Sequence, residues 1–436
     1  MKNSGVEWIG EIPENWEVKR GKELFFEIND RCKNPENYPL LSVSEYYGVA
    51  PKSEKIDEGD FITHAETLDG YKICQEGDIV QNIMLAWKRA TGMSNYEGLI
   101  SPAYCIYRPF KGVDSKYYHY LFRTDVYADL FKQFSTGIID SRLRLYPAKF
   151  LSLKYAYPPK STQQHIASYL DKKCSKIEET IQNQQQVIEK LKTYKQSLIT
   201  EAVTGKIKIQ NGKVCGKYEN YKDSGVEYLG KIPSNWKAKR LRYIGKCQNG
   251  ISKGGEFFGS GYPFVSYGDV YNNLVLPETV SGLIESTPEE QENYSVTAGD
   301  IFFTRTSETI EEVGFTSVCL KTIEKATFAG FVIRVRPFTE ELVPDYSKYY
   351  FSSDAHRRFF VKEMNLVTRA SLSQDLLKRL PVLIPSKDEQ KEIADYLDKK
   401  CTAIDTAIEQ KQKLIEKLTE YKKSLIYECV TGKKEI

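Results

Sequence analysis

The residues that could bind a metal ion or act as nucleophiles are scattered along the chain. The nine cysteines form no CxxC pair, and none of the four histidines lies near another histidine or a cysteine at ligand spacing. Because a zinc site needs several such ligands close together, we expect no metal site and reduced, structural thiols. The residues concerned are Cys32, Cys74, Cys105, Cys174, Cys215, Cys247, Cys319, Cys401, Cys429, His64, His119, His165 and His356.

Loops that bind nucleotides or cofactors are also missing from the sequence. There is no GxxxxGK[ST] motif, and the glycine-lysine pairs at 205–206 and 432–433 follow helical stretches instead of opening them. No GxGxxG loop follows a strand-like run. Carboxylates are abundant, but no acidic pair stands in a specific context. The sequence therefore predicts no catalytic residue and no cofactor in this chain, and it favours a binding function.

Basic side chains are the remaining candidates for recognition chemistry. Arginine and lysine reach the base edges and phosphates of DNA. Residues 88–154 carry 11 of them against 5 acidic residues, whereas residues 1–87 carry 9 against 17. Ordinary solvated charge is the alternative interpretation for each one. The candidates for contact with double-stranded DNA are Lys88, Arg89, Arg108, Arg142, Arg144, Arg305, Arg334, Arg336, Arg369 and Arg379.

An internal repeat must position these side chains. Residues 4–16, SGVEWIGEIPENW, return as SGVEYLGKIPSNW at 224–236, a shift of 220, and residues 163–206 return at 390–433, a shift of 227. Such self-similarity indicates a tandem duplication, with seven extra residues (227 minus 220) in the second copy. Arg142 and Arg369 occupy equivalent positions, which favours a shared contact with the DNA backbone for these two.

The middles of the two copies share a frame and differ in most other residues. Matched strand-like runs are YPLLSV at 38–43 with YPFVSY at 262–267, and EGDIV at 76–80 with AGDIF at 298–302. Short β-type runs alternate with glycine, proline and asparagine turns and with helical stretches. We predict an α+β domain in each copy, with two different surfaces on one scaffold.

The ends of the copies predict long helices. No proline or glycine interrupts residues 162–204 or 387–430, and apolar residues recur at steps of three, four and seven, as in a coiled-coil seam. Gln184 and Lys411 are polar at the equivalent seam position. The predicted seam residues are Ile166, Leu170, Cys174, Ile177, Ile181, Ile188, Leu191 and Leu198, and then Ile393, Leu397, Cys401, Ile404, Ile408, Ile415, Leu418 and Leu425.

The predicted fold class is α+β, with two globular domains separated by two long helices. Antiparallel pairing of these helices would form an intramolecular coiled coil and give the internal repeat a pseudo-two-fold axis; packing of each helix on its own domain is the alternative. The predicted boundaries are 1–157 and 222–384 for the domains, 158–205 and 385–431 for the helical regions, and 206–221 for a linker.

Composition limits where the protein works. With 436 residues, 41% hydrophobic and 28% charged, the chain is expected to form several globular domains. No run approaches the roughly 20 apolar residues that a bilayer crossing needs, and the start lacks the apolar stretch of a secretory signal. We expect a cytoplasmic protein without membrane contact.

This layout resembles the specificity subunits of Type I restriction-modification systems, in which two target recognition domains alternate with two conserved helical regions. The resemblance covers the whole chain. It is carried by the duplicated SGVEWIGEIPENW segment, by the GDI motif at Gly77 and Gly299, and by the proline-led helices that contain Gln163 or Gln390 and the YLD tripeptide. The order of these motifs, in duplicate, is specific.

The resemblance implies that this chain recognises DNA and catalyses nothing itself. Each domain would read one half of a bipartite target, and the coiled coil would set the distance between the halves. Partner methyltransferase subunits would methylate adenine with S-adenosylmethionine, and restriction/translocase subunits would cut unmodified DNA with ATP and Mg²⁺. Exposed faces of 163–204 and 390–430 would form the platform for the methyltransferase subunits.

Two other functions are alternatives to this one. The missing motifs disfavour a self-contained DNA-modifying enzyme, and the divergent middles disfavour a duplicated coiled-coil scaffold that binds only proteins. The predicted domains are not strongly basic, with 20 lysines and arginines against 22 acidic residues in 1–157 and 20 against 20 in 222–384. We therefore expect the isolated chain to bind DNA weakly, with partner subunits supplying phosphate contacts.

Overall fold

The computed structural model describes residues 1–32, 35–54, 68, 70–307, 313–363 and 370–436. The chain folds into two units: Met1–Gln184 together with Gln412–Ile436, and Gln185–Lys411. The divisions fall at Gln184 and Lys411, which are the polar positions of the predicted seam. Each unit therefore contains one globular region and about half of each long helix.

The first unit consists of short strands and helices followed by the first long helix. Its strands are Lys2–Asn3 (β1), Glu11–Ile12 (β2), Glu17–Arg20 (β3), Phe25–Ile28 (β4), Leu41–Ser44 (β5), Gly48–Pro51 (β6), Lys72–Cys74 (β7), Ile79–Asn82 (β8), Thr91–Met93 (β9), Gly98–Ile100 (β10), Tyr104–Pro109 (β11) and Lys154–Tyr157 (β12). Its helices are Gly21–Leu24 (α1), Ser115–Phe122 (α2), Asp125–Gln133 (α3), Pro147–Ser152 (α4) and the start of Lys160–Val203 (α5).

A four-stranded antiparallel sheet organises the first unit, in the order β4-β11-β8-β9. On the central strand β11, Ile106 pairs with Ile28 on one side and with Val80 on the other. Helices α2 and α3 contribute aromatic side chains to the core, such as Phe122 from α2 and Phe131 from α3. Strand β12 pairs with β3, so the chain returns to the beginning of the domain just before α5 starts.

The second unit repeats this kind of architecture with longer connections. Its strands are Ile209–Gln210 (β13), Lys213–Val214 (β14), Tyr221–Asp223 (β15), Lys231–Pro233 (β16), Lys237–Arg240 (β17), Gly245–Asn249 (β18), Phe258–Val265 (β19), Leu283–Ile284 (β20), Ile301–Thr304 (β21), Thr306–Ser307 (β22), Thr316–Val318 (β23), Thr327–Phe328 (β24), Val332–Pro337 (β25), Ala370–Ser371 (β26) and Pro381–Ile384 (β27). Its helices are Tyr267–Asn272 (α6), Pro288–Asn293 (α7), Pro344–Ser352 (α8), Asp354–Glu363 (α9), Gln374–Arg379 (α10) and the start of Lys387–Val430 (α11).

The main sheet of the second unit is also four-stranded and antiparallel, in the order β18-β25-β21-β23. Strand β27 pairs with β17 immediately before α11 begins. The predicted linker 206–221 contains the hairpin β13–β14, and Ile209 of this hairpin is buried in the core of the unit. None of the described helices combines the length and apolar content that a bilayer crossing requires.

Each long helix begins beside a buried glutamine. The side-chain oxygen of Gln163 accepts a hydrogen bond from the backbone N–H of Asp114 at 2.8 Å, and its amide donates to the carbonyl of Pro158 at 2.8 Å. Gln390 makes the corresponding bonds with Val343 and Pro385, at 2.8 and 3.0 Å. Because both side chains are fully buried, these bonds tie the helix starts to the loops that precede α2 and α8.

Two residues after each long helix, a glycine packs on the repeated IPxNW segment. Gly205 and Gly432 both have a φ of +72°, in the left-handed region that favours glycine. A Cβ at Gly205 would lie 2.3 Å from Pro233, and one at Gly432 would lie 2.5 Å from Pro13. This close approach explains why the helix-end glycine and the IPxNW segment recur together in the two copies.

Candidate nucleic-acid interface

Each unit contains a buried aspartate that holds an arginine of the neighbouring strand. Asp78 precedes β8, and Arg108 of β11 donates to it from Nε and Nη2, both at 2.9 Å. Asp300 precedes β21, and Arg336 of β25 donates to it at 2.7 and 2.6 Å. These bidentate bonds raise the pKa of both guanidinium groups. The GDI motif therefore supplies a carboxylate that locks two central strands together.

The predicted DNA contact of Arg334 is corrected by its position in the structure. Its side chain is only 4% exposed, and it donates to the carbonyl of Ser295 and to the side-chain oxygen of Gln248. Burial lowers its pKa to about 10, so the group stays charged at neutral pH. Arg334 is a structural residue, whereas Arg108 and Arg336 remain partly exposed, and their contact with DNA stays a prediction.

The end of β8 carries a cluster of basic and aromatic side chains. The Nζ atoms of Lys88 and Lys132 lie 5.3 and 4.8 Å from the ring centroid of Trp87. Arg89 follows with a φ of +67° and forms an ion pair with Asp125. Cation–π contacts hold lysine side chains against an aromatic face without neutralising them. Lys88 and Arg89 are thus brought together near the end of β8.

A loop after α3 joins this cluster. The backbones of Thr136 and Arg144 exchange two hydrogen bonds, at 2.9 and 3.0 Å, and the N–H of Leu145 donates to the carbonyl of Ile83 just beyond β8. Lys132 forms an ion pair with Asp140 in the loop at 2.9 Å. These contacts connect the loop, which carries exposed Arg142 and half-buried Arg144, to the Trp87 cluster through Lys132. The Nζ atom of Lys149 lies 5.0 Å from the ring centroid of Phe134, the residue just before the loop. We call Trp87, Lys88, Lys132, Arg142 and Lys149 the basic patch.

In the second unit the corresponding strand end carries Arg305. The backbone N–H of Arg305 donates to the carbonyl of Phe331 at 2.9 Å, and its backbone carbonyl accepts from the N–H of Leu372 at 2.7 Å. The second bond corresponds to the one between Ile83 and Leu145 in the first unit. Phe331 is 64% exposed. Arg379 is exposed on α10 and forms an ion pair with Glu363 at 3.2 Å. Arg369 lies outside the described residues.

Comparison with known proteins identifies the family. Residues 233–419 match the family model of the Type I restriction modification DNA specificity domain. The chain is 24% identical over 447 residues to the Type I restriction enzyme EcoKI specificity subunit of Escherichia coli strain K12, covering 97% of this chain and 90% of the relative. It is 23% identical over 440 residues to the MjaVIII specificity subunit of Methanocaldococcus jannaschii, covering 97% and 93%. Residues 233–419 thus form a Type I DNA specificity domain, and nearly the whole chain is similar to Type I specificity subunits.

Solved structures show the same fold. A chain from a structure on complex assembly and conformational transition of the type I R-M system matches with a TM-score of 0.72 at 14% identity, covering 97% of this chain and 100% of that chain. The HsdS subunit from Thermoanaerobacter tengcongensis matches with a TM-score of 0.56 at 14% identity, covering 97% and 98%. The specificity-subunit fold is therefore established for this chain, and target recognition in DNA is the role of the family.

Several residues of the basic patch and its surroundings were missed by the sequence interpretation of this specificity subunit. In the first unit they are Trp87, Lys132, Ile138, Ile139 and Lys149, and in the second Phe331 is the clearest case. The sequence signal for two of them is the GII tripeptide at 137–139, since two isoleucines lie there in the otherwise polar stretch 135–142. Apolar residues are usually assigned to the core, and only the structure shows these two at the surface.

The predicted seam residues follow one side of each long helix of the specificity subunit. All sixteen are buried or half-buried. In the first unit, Leu170 and Cys174 of α5 share a core with Leu425 of α11. In the second unit, Leu198 of α5 shares a core with Leu397 and Cys401 of α11. In both units, therefore, the beginning of one long helix packs with the end of the other.

Ion pairs link the two long helices in both units. Glu178 pairs with Lys422 in the first unit, and Lys195 pairs with Asp405 in the second at 2.6 Å. Asp405 lies 227 residues after Glu178, and Lys422 lies 227 residues after Lys195, which is the repeat shift of the sequence. The two pairs are thus the same contact with the roles of the copies exchanged.

Charge reversal should test this contact. We expect Lys422→Glu alone to reduce the free energy of unfolding, because Glu178 faces a like charge in the variant. The loss should be only about 0.5 to 1 kcal/mol, because Glu178 is largely exposed to solvent. The double variant Glu178→Lys with Lys422→Glu should recover most of the loss in urea titrations. The neighbouring exposed pair Glu189 and Lys192 is the control. Strictly additive losses in the double variant would contradict the pairing.

Metal chemistry has no support in the described part of the chain. Among those residues no group of three or more histidines, cysteines or carboxylates is arranged to hold an ion. Eight of the nine cysteines are buried and free, and Cys215 is exposed. Burial raises the pKa of Cys74 to about 12, which keeps this thiol protonated and unreactive.

Proposed function

We propose that this specificity subunit reads a bipartite DNA target, with region 1–157 contacting one half and region 222–384 the other. The observation that carries the proposal is a common scaffold with different exposed side chains. The aspartate–arginine lock and the buried glutamine occur in both units. At the same strand end, however, the first unit presents the basic patch and the second presents Arg305 with Phe331.

We further propose that α5 and α11 form an antiparallel coiled coil with a pseudo-two-fold axis. The exchanged ion pairs support this arrangement, because a parallel pair would not bring the beginning of each helix to the end of the other. A helix of 44 residues is about 66 Å long, roughly two turns of B-DNA. The helix pair would then determine how many unread bases separate the two halves of the target.

The chemistry is assigned to partner subunits in this proposal. Methyltransferase subunits would bind S-adenosylmethionine and methylate adenine, and restriction/translocase subunits would use ATP and Mg²⁺. The target base would be extruded into a methyltransferase pocket, since a base inside a duplex is out of reach. The specificity subunit would act in the cytoplasm and contribute binding and orientation only. The purified chain alone should therefore transfer no methyl group to DNA.

The first test maps adenine methylation in cells that co-express this chain with its methyltransferase subunit. We expect one split motif. The double variant Lys88→Ala with Arg142→Ala should lower methylation about 10-fold or relax the motif in one half only, because a base or phosphate contact contributes about 1 to 3 kcal/mol. Arg305→Ala should affect the other half.

Lys22→Ala is a suitable control, because Lys22 is exposed on α1 and lies outside the basic patch. A contiguous motif would contradict the two-half proposal. So would a loss of both halves from a variant in one unit. Absence of methylation from a stably assembled complex would point to a scaffold that binds only proteins.

A further inference from the structure

The loop of residues 135–145 presents two isoleucines to solvent. Ile138 is 99% exposed and Ile139 is 53% exposed. Single exposed apolar residues are common on protein surfaces, but two adjacent isoleucines at a loop tip are a concentrated apolar feature. Neither side chain contributes to a hydrophobic core of the first unit as described. The tip is therefore available to contact another molecule.

The backbone holds this tip in one shape. Thr136 and Arg144 are joined by two backbone hydrogen bonds, and the N–H of Arg142 donates to the carbonyl of Ile139 at 2.8 Å. Gly137 sits in the neck with a φ of +155°, and a Cβ there would come within 2.6 Å of the carbonyl oxygen of Arg142. Only glycine fits so tight a neck. The isoleucines are thus presented by a closed, hydrogen-bonded loop.

The surroundings of the tip carry positive charge. Residues 132–149 contain Lys132, Arg142, Arg144 and Lys149 against one acidic residue, Asp140. Asp140 is the partner of Lys132, which also stacks on Trp87 next to Lys88. An apolar tip with cations around it is complementary to double-stranded DNA. The cations can contact the phosphates, and the apolar side chains can contact the faces of the stacked bases. In protein interfaces, by contrast, the apolar centre is depleted of charged residues.

We propose that Ile138 and Ile139 insert between base pairs of the half-site read by the first unit, while the basic patch holds the flanking phosphates. The inference rests on the proposed function and adds to it a wedge that unstacks one base step. Apolar side chains used in this way kink and open the duplex. Unstacking next to the target adenine would also make its extrusion toward the methyltransferase easier.

The test uses the complex of the specificity subunit with its methyltransferase subunit and a duplex carrying the mapped motif. The variant Ile138→Ala with Ile139→Ala removes the wedge, and Ile138→Leu with Ile139→Leu keeps its apolar volume. We expect the alanine variant to bind about 10-fold more weakly in fluorescence anisotropy. Permanganate should detect the thymine opposite the extruded adenine with all three proteins. A second, unstacked thymine should be detected in one half-site with the wild-type and leucine proteins, and this second thymine should not be detected with the alanine protein.

Each other outcome has a defined meaning. Unchanged affinity and an unchanged permanganate pattern in the alanine variant would overturn the wedge while leaving the proposed function intact. Failure of the alanine variant to assemble with the methyltransferase subunit would assign the tip to a protein contact instead. A wild-type complex without site-specific binding would overturn the proposed function and the wedge together. Melting temperatures should be equal in all three proteins, since both side chains face solvent.

Discussion

Acidification below pH 6.5 is expected to destabilise both units, because each contains a buried, neutral histidine. His119 lies on α2, and its Nδ1 accepts a hydrogen bond from the N–H of Met93 at 3.2 Å. His356 lies on α9 between the rings of Phe351 and Phe360. Burial lowers the pKa of each imidazole to about 3, and nearby cations add to the effect. Those cations are Arg123 and Lys116 for His119, and Arg357 for His356.

The direction of the effect follows from proton uptake. Unfolded histidine binds a proton below its ordinary pKa of 6.5, whereas the native side chains stay neutral down to about pH 3. The full stability is therefore present above pH 6.5 and is lost progressively as the pH falls toward 3. Each histidine should reduce the free energy of unfolding by about 1.4 kcal/mol per pH unit within that range.

The measurement is a set of urea titrations between pH 7.5 and pH 5, where few carboxylates titrate. His356→Leu and His119→Leu should each flatten the pH dependence of the unit that contains the substitution, whatever their effect on stability at pH 7.5. His165→Leu is the control, because His165 is exposed on α5. A slope that survives both core substitutions, or that His165→Leu also removes, would contradict this assignment.

The second large effect is expected from the aspartate–arginine lock. Asp300→Ala and Asp78→Ala should each reduce the free energy of unfolding of their unit by about 2 to 4 kcal/mol. The side chains of Asp78 and Asp300 are 2% and 1% exposed, and removal of either carboxylate leaves a guanidinium without its bidentate partner. This loss in the free energy of unfolding is smaller than that expected for a fully buried ion pair, because Arg108 and Arg336 are partly exposed to solvent.

An exposed ion pair in the same unit supplies the control for this prediction. Glu278 pairs with Lys321 at 2.7 Å, with both side chains about two-thirds exposed (66% and 68%). Glu278→Ala should therefore change the free energy of unfolding by about 0.5 kcal/mol or less. Thermal and urea unfolding of the three variants would settle the ranking. An effect of Asp300→Ala as small as that of Glu278→Ala would show that the lock does not stabilise the sheet.

The aspartate–arginine lock is also connected to the candidate nucleic-acid interface. Strands β8 and β21 begin next to the two aspartates and run toward the surfaces that carry Lys88 and Arg305. Loss of Asp78 or Asp300 should therefore disturb recognition in one half of the target. This consequence distinguishes the lock from a residue that only stabilises the core. Arg108 and Arg336 were predicted from the sequence to contact DNA because arginine can reach base edges and phosphates. Their hydrogen bonds show that they also have a structural role.

The sequence by itself determined the two long helices and their apolar stripes. Helix continuity depends on local features, namely the absence of proline and glycine and the recurrence of apolar residues at steps of three and four. For that reason Ile177 and Ile404 could be assigned to a buried stripe before the fold was known, and both are 8% exposed. The duplicated segments and the missing catalytic motifs are likewise readable from residue order alone.

Tertiary structure alone decided which basic and apolar side chains face outward. Arg334 and Arg336 both alternate with valine and isoleucine on β25, yet Arg334 is buried opposite Gln248 while Arg336 holds Asp300. Ile138 looks like a core residue in the sequence and is 99% exposed. Such differences depend on cross-strand partners and on how loop necks close. These are contacts between residues far apart in the chain, which local spacing does not encode.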